Sequence, residues 1–556
     1  MRPNPDIATR VESFWKVSRE KYGVPLNARF TLKDRTWPDT TIDTAPRWVS
    51  VDLRDGNQSL ENPMTVEQKL EHFQILVDMG FTEIEVWFPS ASEEDFNFVK
   101  RLIEDDLIPD NVTIQVLVQS KKELIEKTRQ ALDGAKNVIV HLYNSTSTTQ
   151  RKIVFAHSKS ENTQLAVDGV KMIQDTFADF TWNMTLQYSP ESFTGTEVEY
   201  ARDVCRAVLE QWNGFRWNEV IINLPSTVEN CTPDVYADKI EWMVRQLKYD
   251  RADTNQAVHV IISLHTHNDR GTWVGATELA IKAWADRVEG TLFWNGERAG
   301  NVAIEIVALN LFSQWVPPNL DLSNIWDIAK RVTQITWMPI PQRHPYLWDL
   351  VHTAFSGSHQ DAIRKCFEAN KGSMIWENAY LPIDPQDIWL EYTPIRINSQ
   401  SWKGGVTFIV EEAWYAIPKR MQPFIGKVIQ AFSEDVKREV KSEEVVHLFQ
   451  QNFVNVWWDY DTERFQYKEN IWNKWIVEQC VEFLSAKYWV DITIKEWHGD
   501  SKTQGTGWVA VNFFEVEIDG KTFFWVGEDT DIARSIQKWI ISALNIWNMY
   551  IQIAKV

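Results

Sequence analysis

The chain has 556 residues, 44% of them apolar, and a formal net charge of -20. That length calls for several domains. The acidic balance, with no basic patch to offset it, argues against nucleic acid or an anionic membrane as partner. Cys205, Cys231, Cys366 and Cys480 lack CxxC spacing, so neither a disulfide framework nor a thiolate zinc site is indicated.

The N-terminus has no apolar signal core and no long uncharged apolar run follows, so a soluble cytoplasmic protein is expected. Two counts are unusual: 22 glycines, where average usage gives about 39, and 29 tryptophans.

Residues 1–46 carry five prolines around one helical segment and read as an N-terminal extension. From Trp48 a rhythm begins. Short β-branched runs at 48–53, 83–87, 113–118, 137–142, 183–188, 219–223, 258–264 and 287–293 alternate with amphipathic stretches such as Val66–Met79 and Glu197–Trp212. Eight strands alternating with helices predict a (β/α)8 TIM barrel, an α/β fold, over residues 47–325. A doubly wound sheet with two extra strands is the alternative. The barrel is preferred because polar residues cluster just after the strands, where a barrel converges them on one face.

Beyond the barrel, 326–430 read as a mostly helical linker region with irregular proline-containing stretches. Residues 431–556 read as a C-terminal α+β domain, with strand-like runs at 489–495, 507–517 and 522–526 and a helix Asp531–Ala543.

Side chains alternate along a strand, so His265 and His267 in Leu264-His265-Thr266-His267-Asn268-Asp269 share a face and can bind one ion. Histidine pairs in strands are often merely structural. The first strand leads to Arg54-Asp55-Gly56, and Asp55 would complete a two-histidine, one-carboxylate set. Arg54 offers a fixed cation for an oxyanion beside it.

Other strand ends add hydrogen-bonding groups: His141, Ser189, Asn223 and Thr227. Glu191 can handle protons, or can serve as a helix N-terminal carboxylate. The late loop Asn295-Gly296-Glu297-Arg298 through Asn301 can close the site.

Leu53-Arg54-Asp55-Gly56-Asn57-Gln58, the HxHND segment and Asn295-Gly296-Glu297-Arg298 resemble the motifs of the metal-dependent acyl-CoA-condensing barrel enzymes. Phe88-Pro89-Ser90-Ala91-Ser92, Tyr143-Asn144-Ser145-Thr146-Ser147, Ser189-Pro190-Glu191-Ser192, the segment Phe355–Asp361 and Asn398-Ser399-Gln400-Ser401 narrow the resemblance to the long-form 2-isopropylmalate synthases.

The resemblance implies condensation of acetyl-CoA with 3-methyl-2-oxobutanoate on the route to leucine. It also implies a divalent metal, Mg2+ ahead of Mn2+ or Zn2+, on Asp55, His265, His267 and Asn301. Arg54, Glu191, His359 and Tyr380 would be catalytic, the last three sharing base and water-activating roles. His141, Ser189, Asn223, Thr227 and Gln58 would line the keto-acid pocket. A homodimer is implied, with His359 given by the partner subunit, and a C-terminal domain inhibited by leucine. Homocitrate or citramalate synthesis, a lyase of the same superfamily and a non-catalytic relative are the competing readings.

Trp87, Trp273, Trp284, Trp294, Trp315, Trp337, Trp348, Trp389, Trp402 and Trp525 stand where the resembled family has glycine. Tryptophan is the worst replacement where φ is positive or backbone approaches closely. These positions are expected to be UGA codons that the host reads as glycine, whereas Trp37 and Trp48 are expected to be genuine.

Overall fold

The computed structural model describes residues 7–22, 30–213, 215, 219–249, 258–388, 395–397, 403–454, 481, 491–504, 507–518, 520–530 and 535. They form two compact units, Met1–Leu347 and Trp348–Val556.

The first unit holds a helix, Ile7–Tyr22, and eight parallel strands: β1 (Arg47–Ser50), β2 (Glu83–Trp87), β3 (Thr113–Gln119), β4 (Asn137–Ser145), β5 (Asn183–Glu191), β6 (Glu219–Ser226), β7 (His259–Thr266) and β8 (Arg287–Gly290). Each pairs with the next, and β8 returns to β1 through Arg47 opposite Arg287 and Ser50 opposite Gly290. Closure leaves no sheet edge, and the predicted barrel is the observed one.

The connecting helices start at sequence-coded signals. Thr65 with Gln68 and Ser158 with Glu161 each build a capping box, ahead of helices Val66–Asp78 and Lys159–Thr176. Outward strand residues such as Ile84, Val86, Val138 and Val140 are fully or almost fully buried under these helices. The predicted end strands were too long. β1 stops at Ser50 and a wide π-helical turn, Asp52–Gly56, follows; β8 stops at Gly290. π turns of the kind that follows β1 are frequent at functional sites, and after β8 a short 3-10 turn, Leu292–Trp294, follows instead.

The barrel interior is layered by the two-residue period of its strands. Ile139, Ile221 and Ile261 form one apolar cluster. One step towards the C-terminal ends of β4 and β6, the same faces carry His141 and Asn223. Arg287 is fully buried in β8. It donates to Glu83 Oε2 (2.6 Å), Gln115 Oε1 (2.6 Å), Ser263 Oγ (2.9 Å) and Glu289 Oε1 (2.7 Å). A buried guanidinium is tolerable only when its donors are met in this way.

The second unit contains helices Gly357–Ala369, Lys403–Glu412, Gln422–Val436 and Ser442–Phe453, and an antiparallel sheet ordered β11 (Lys521–Asp529), β10 (Gly507–Ile518), β9 (Ile492–Gln504). Val511, Phe513, Phe524 and Val526 of the sheet share a core with Ile409, Ile425, Val445 and Phe449 of the helices. The expected helix Asp531–Ala543 lies outside the described residues apart from Ser535. Among the described residues no helix is long and apolar enough to cross a membrane.

Asp52 opens the π turn, its buried carboxylate accepting from Ser50 Oγ (2.7 Å) and the Leu292 N–H (3.1 Å), with His72 Nε2 at 3.7 Å. Burial raises the Asp52 carboxyl to about 7, and burial pushes His72 down to about 4. Between about pH 4, where an unfolded aspartate titrates, and pH 7 the folded chain keeps a proton on Asp52 that the unfolded chain has lost. Stability from this group therefore falls as pH rises through that window. Melting temperatures of the parent and Asp52→Asn chains at about pH 5 and about pH 8 check it: parent minus variant is expected to be smaller at the higher pH. A pH-independent difference would contradict the assignment.

Candidate metal and substrate site

The candidate side chains of the barrel gather at the C-terminal ends of the strands, where a parallel barrel opens. Asp55, on the π turn, points Oδ2 at His265 Nε2 (3.0 Å) and His267 Nε2 (3.6 Å). His265 lies in β7 and His267 just past its end, so the strand pleat sends both rings to the same side. Their donor atoms and the Asp55 carboxylate lie within 4.8 Å of one another, and all three residues are buried.

The late loop is tied back onto β7 by Asn268 N–H to Gly300 O (3.0 Å) and Val302 N–H to Thr266 O (2.9 Å). This brings the Asn301 amide nitrogen to 2.7 Å from Asp55 Oδ2 and 3.0 Å from His265 Nε2. Asn301 Oδ1 is buried with no hydrogen-bond partner among the described residues. A half-turn of the amide, which exchanges oxygen and nitrogen, aims that oxygen at the cluster. Two imidazoles, a carboxylate and an amide oxygen suit a divalent cation.

The electrostatics point the same way. Burial opposes charge on every group here, but the Arg54 guanidinium and the two histidines hold the Asp55 carboxyl well below the usual range. His265 is buried too, yet its bonds to Asp55 and Glu289 raise it to about 9. Burial pushes His267 down to about 3, leaving a neutral ring with a free lone pair. The cluster thus attracts positive charge at His265 and offers a neutral donor at His267.

Arg54 is clamped between Glu85 Oε2 (2.5 Å from Nε) and Asp55 Oδ1 (3.0 Å from Nη1). Despite burial, these carboxylates keep it cationic. Gln58 Nε2 donates to Asp55 Oδ1 (2.8 Å). His141 lies between Glu85 Oε1 (2.8 Å) and Ser189 Oγ (2.7 Å), and Asn223 Nδ2 reaches Ser189 Oγ at 3.0 Å. Ser145 Oγ donates to Glu191 Oε2. Thr227 Oγ1 accepts the Ser192 N–H (2.9 Å).

One cavity of about 270 Å³ is lined by Arg54, Asp55, Gln58, His141, Ser189, Glu191, Asn223, Thr227, His265 and His267. Asn301 lies beside it through its contact with Asp55. His359 and Tyr380 belong to the second unit, where their rings stack at 3.9 Å and 18°. Tyr380 is 58% exposed and holds a left-handed φ of 66°.

Sequence reasoning missed the carboxylates beneath the site. Glu289 Oε2 accepts from His265 Nδ1 (2.9 Å) and Asn223 Nδ2 (3.1 Å), while Oε1 accepts from Gln187 (2.6 Å), Gln115 (3.1 Å) and Arg287 (2.7 Å). Bonding to Glu289 fixes the Nδ1–H of His265 and turns Nε2 to the cluster, as supports of metal-ligating histidines do. The available signal was a charge inside a β-branched strand, in Glu83-Ile84-Glu85-Val86 and Arg287-Val288-Glu289. Arg298 was read only as part of the late-loop motif. It binds Asp269 Oδ1 (2.6 Å) and the Thr227 carbonyl, latching the late loop to the ends of β6 and β7.

Residues 45–332 match the HMGL-like family, and residues 349–411 match the alpha-isopropylmalate synthase post-catalytic domain-like family. The chain is 44% identical over 542 residues to the 2-isopropylmalate synthase of Acetoanaerobium sticklandii, covering 92% of this chain and 94% of that protein. It is 44% identical over 536 residues to the 2-isopropylmalate synthase of Pseudomonas savastanoi, covering 92% and 95%. With that of Clostridium acetobutylicum, identity is 50% over 431 residues, 76% of each chain. On the likeness of sequence, barrel and site together, the chain belongs to the 2-isopropylmalate synthase family, enzymes of the acyltransferase class.

Proposed function

We propose that this chain condenses acetyl-CoA with 3-methyl-2-oxobutanoate and hydrolyses the thioester, releasing CoA and 2-isopropylmalate. The observation that carries the reading is the buried Asp55, His265 and His267 set beside a clamped Arg54 at the head of one cavity. Asp55, His265, His267 and Asn301 would hold the divalent cation, Mg2+ before Mn2+ or Zn2+. When bound, it supplies Lewis-acid polarisation of a keto oxygen and a template for the keto acid.

The remaining work falls to side chains. His141, Ser189, Asn223, Thr227 and Gln58 orient the keto acid in the cavity through hydrogen bonds, which makes the encounter effectively intramolecular. The acetyl methyl group gives up a proton to a base, and its carbon bonds to the keto carbon. Arg54 stabilises the oxyanion left on the former keto oxygen. Because Glu85 and Asp55 fix that guanidinium in advance, little reorganisation is required of it.

Glu191, His359 and Tyr380 share base duty and the activation of the water that cleaves the carbon–sulfur bond. Glu191 lines the cavity. For His359 and Tyr380 the support is their stacked pairing and the strained backbone of Tyr380, since such outliers concentrate at functional sites. We assign them to the site of the partner subunit in a homodimer, with the C-terminal domain, 431–556, as a leucine-responsive module and the cytoplasm as the compartment. Residues 1–46 as an extension, 47–325 as the catalytic barrel, 326–430 as linker and 431–556 as the regulatory domain complete the proposed organisation.

Thiol release from acetyl-CoA with a panel of 2-oxo acids tests the reaction. Release with 3-methyl-2-oxobutanoate, abolished by a chelator, is expected; release only with 2-oxoglutarate or pyruvate would move the chain to homocitrate or citramalate synthesis. A Glu289→Gln variant keeps the shape of the barrel centre but weakens the bond that orients His265. Its cation affinity, measured by titration of the dialysed protein, is expected to fall about 10–100-fold, with activity recovered at high cation concentration. Unchanged affinity would remove Glu289 from this role.

A further inference from the structure

Six tryptophans have backbone that glycine adopts freely and tryptophan does not. They are Trp87, with φ 131°, Trp284 with 66°, Trp294 with 53°, Trp315 with 67°, Trp337 with 59° and Trp414 with 66°. Among the described residues, 15 positions other than glycine have left-handed φ, and these six are the largest group of one residue type. Asparagine and aspartate, whose side chains tolerate this region best, account for only Asp106 and Asn319.

Three of the six end helices with one hydrogen-bond pattern. Trp284 N–H reaches Ile281 O (3.0 Å) and Ala285 N–H reaches Ala280 O (3.3 Å). Trp315 and Val316 repeat it on Phe312 (3.2 Å) and Leu311 (3.1 Å), and Trp414 and Tyr415 on Glu411 (2.9 Å) and Val410 (3.3 Å). This is the Schellman motif, whose left-handed position is usually glycine. The chain supplies its own comparison, because Gly80, with φ 92°, ends a helix by the same pair: Gly80 to Val77 O (2.9 Å) and Phe81 to Leu76 O (3.1 Å). Trp337 closes its helix with the related single bond, to Thr333 O at 2.9 Å.

Three of the rings do little for the fold, whereas that of Trp294 stacks on His344 at 4.5 Å. Trp315, Trp337 and Trp414 are 96%, 80% and 71% exposed. Trp87 buries its indole N–H with no partner among the described residues. Trp37 and Trp48 differ in every respect. Both are buried, with indole N–H groups donating to Asp238 Oδ1 (2.8 Å) and Pro318 O (2.7 Å). Trp273, Trp348 and Trp525 lack a left-handed φ, so the backbone makes no demand there. Trp389 and Trp402 lie outside the described residues.

We propose that the protein made in its own host carries glycine in place of Trp87, Trp284, Trp294, Trp315, Trp337 and Trp414. The shared codon would be UGA, which is one base from the tryptophan codon UGG and one base from the glycine codon GGA. The inference concerns the chain itself and stands whether or not the proposed reaction is correct. It also moves the composition towards ordinary usage, from 22 glycines and 29 tryptophans to 28 and 23. The structure adds Trp414 to the positions that the motifs had singled out.

Tandem mass spectrometry of the protein from its own host decides it. The tryptic peptide Gly404–Lys419 contains Trp414 as its single tryptophan, and the peptides spanning the other five positions are read in the same run. Each is expected to be lighter by one 3-methylindole-sized group; tryptophan at any of the six overturns the proposal. As a second measurement, the full chain is made in a host with the ordinary code, once as written and once with all six replaced by glycine. The replaced chain is expected to melt at least ~5 °C higher, while Trp37→Gly and Trp48→Gly lower the melting temperature. A written chain that melts at the same or a higher temperature overturns it too.

Discussion

A carboxylate buried inside the barrel has to be surrounded by donors, and this constraint organises the site. Glu289 is completely buried. It accepts from His265 on β7, Asn223 on β6, Gln187 on β5, Gln115 on β3 and Arg287 on its own strand. A buried charge without such partners would be severely destabilising. Its presence therefore fixes the inward residues of four other strands. Glu85 extends the network to Arg54 and His141, so the residues facing the cavity stand on a polar floor that sets their orientation. Specificity of arrangement, more than net stability, is what such a network supplies.

The same economy appears at the rim. Ser192, next to Glu191, and Phe293 and Arg298 in the late loop all hold left-handed φ. Gly296, with φ 147°, lies so close to the Asn301 amide oxygen that a Cβ would come within 1.9 Å of it. Part of the chain's backbone strain thus lies where loops must aim side chains at one small volume, and the ladder of eight parallel strands beneath holds it in place.

Much of this was legible in the sequence. Long β-branched runs at regular spacing gave the barrel, because parallel strands covered on both faces must be apolar almost throughout. His265 and His267 were visible through the strand pleat and Asp55 through the turn after the first strand, whereas Asn301 came from the family resemblance. Glu289 and Arg287 were not, since a charge within a strand reads as solvent-facing until closure of the barrel supplies its partners. The π turn at Asp52–Gly56 was hidden because its apolar start, Val51 and Leu53, continues the strand pattern. Trp414 escaped because its demand for glycine lies in φ and in two backbone bonds, which no local motif encodes.

X-ray absorption of the Mn2+-loaded protein, with glycine at the six left-handed tryptophan positions, tests the central assignment most directly. A first shell of oxygen and nitrogen with outer-shell scattering from two imidazoles, lost to one imidazole in His267→Ala, is the result this account predicts. A shell of oxygen alone, or a spectrum unchanged by His267→Ala, would contradict it.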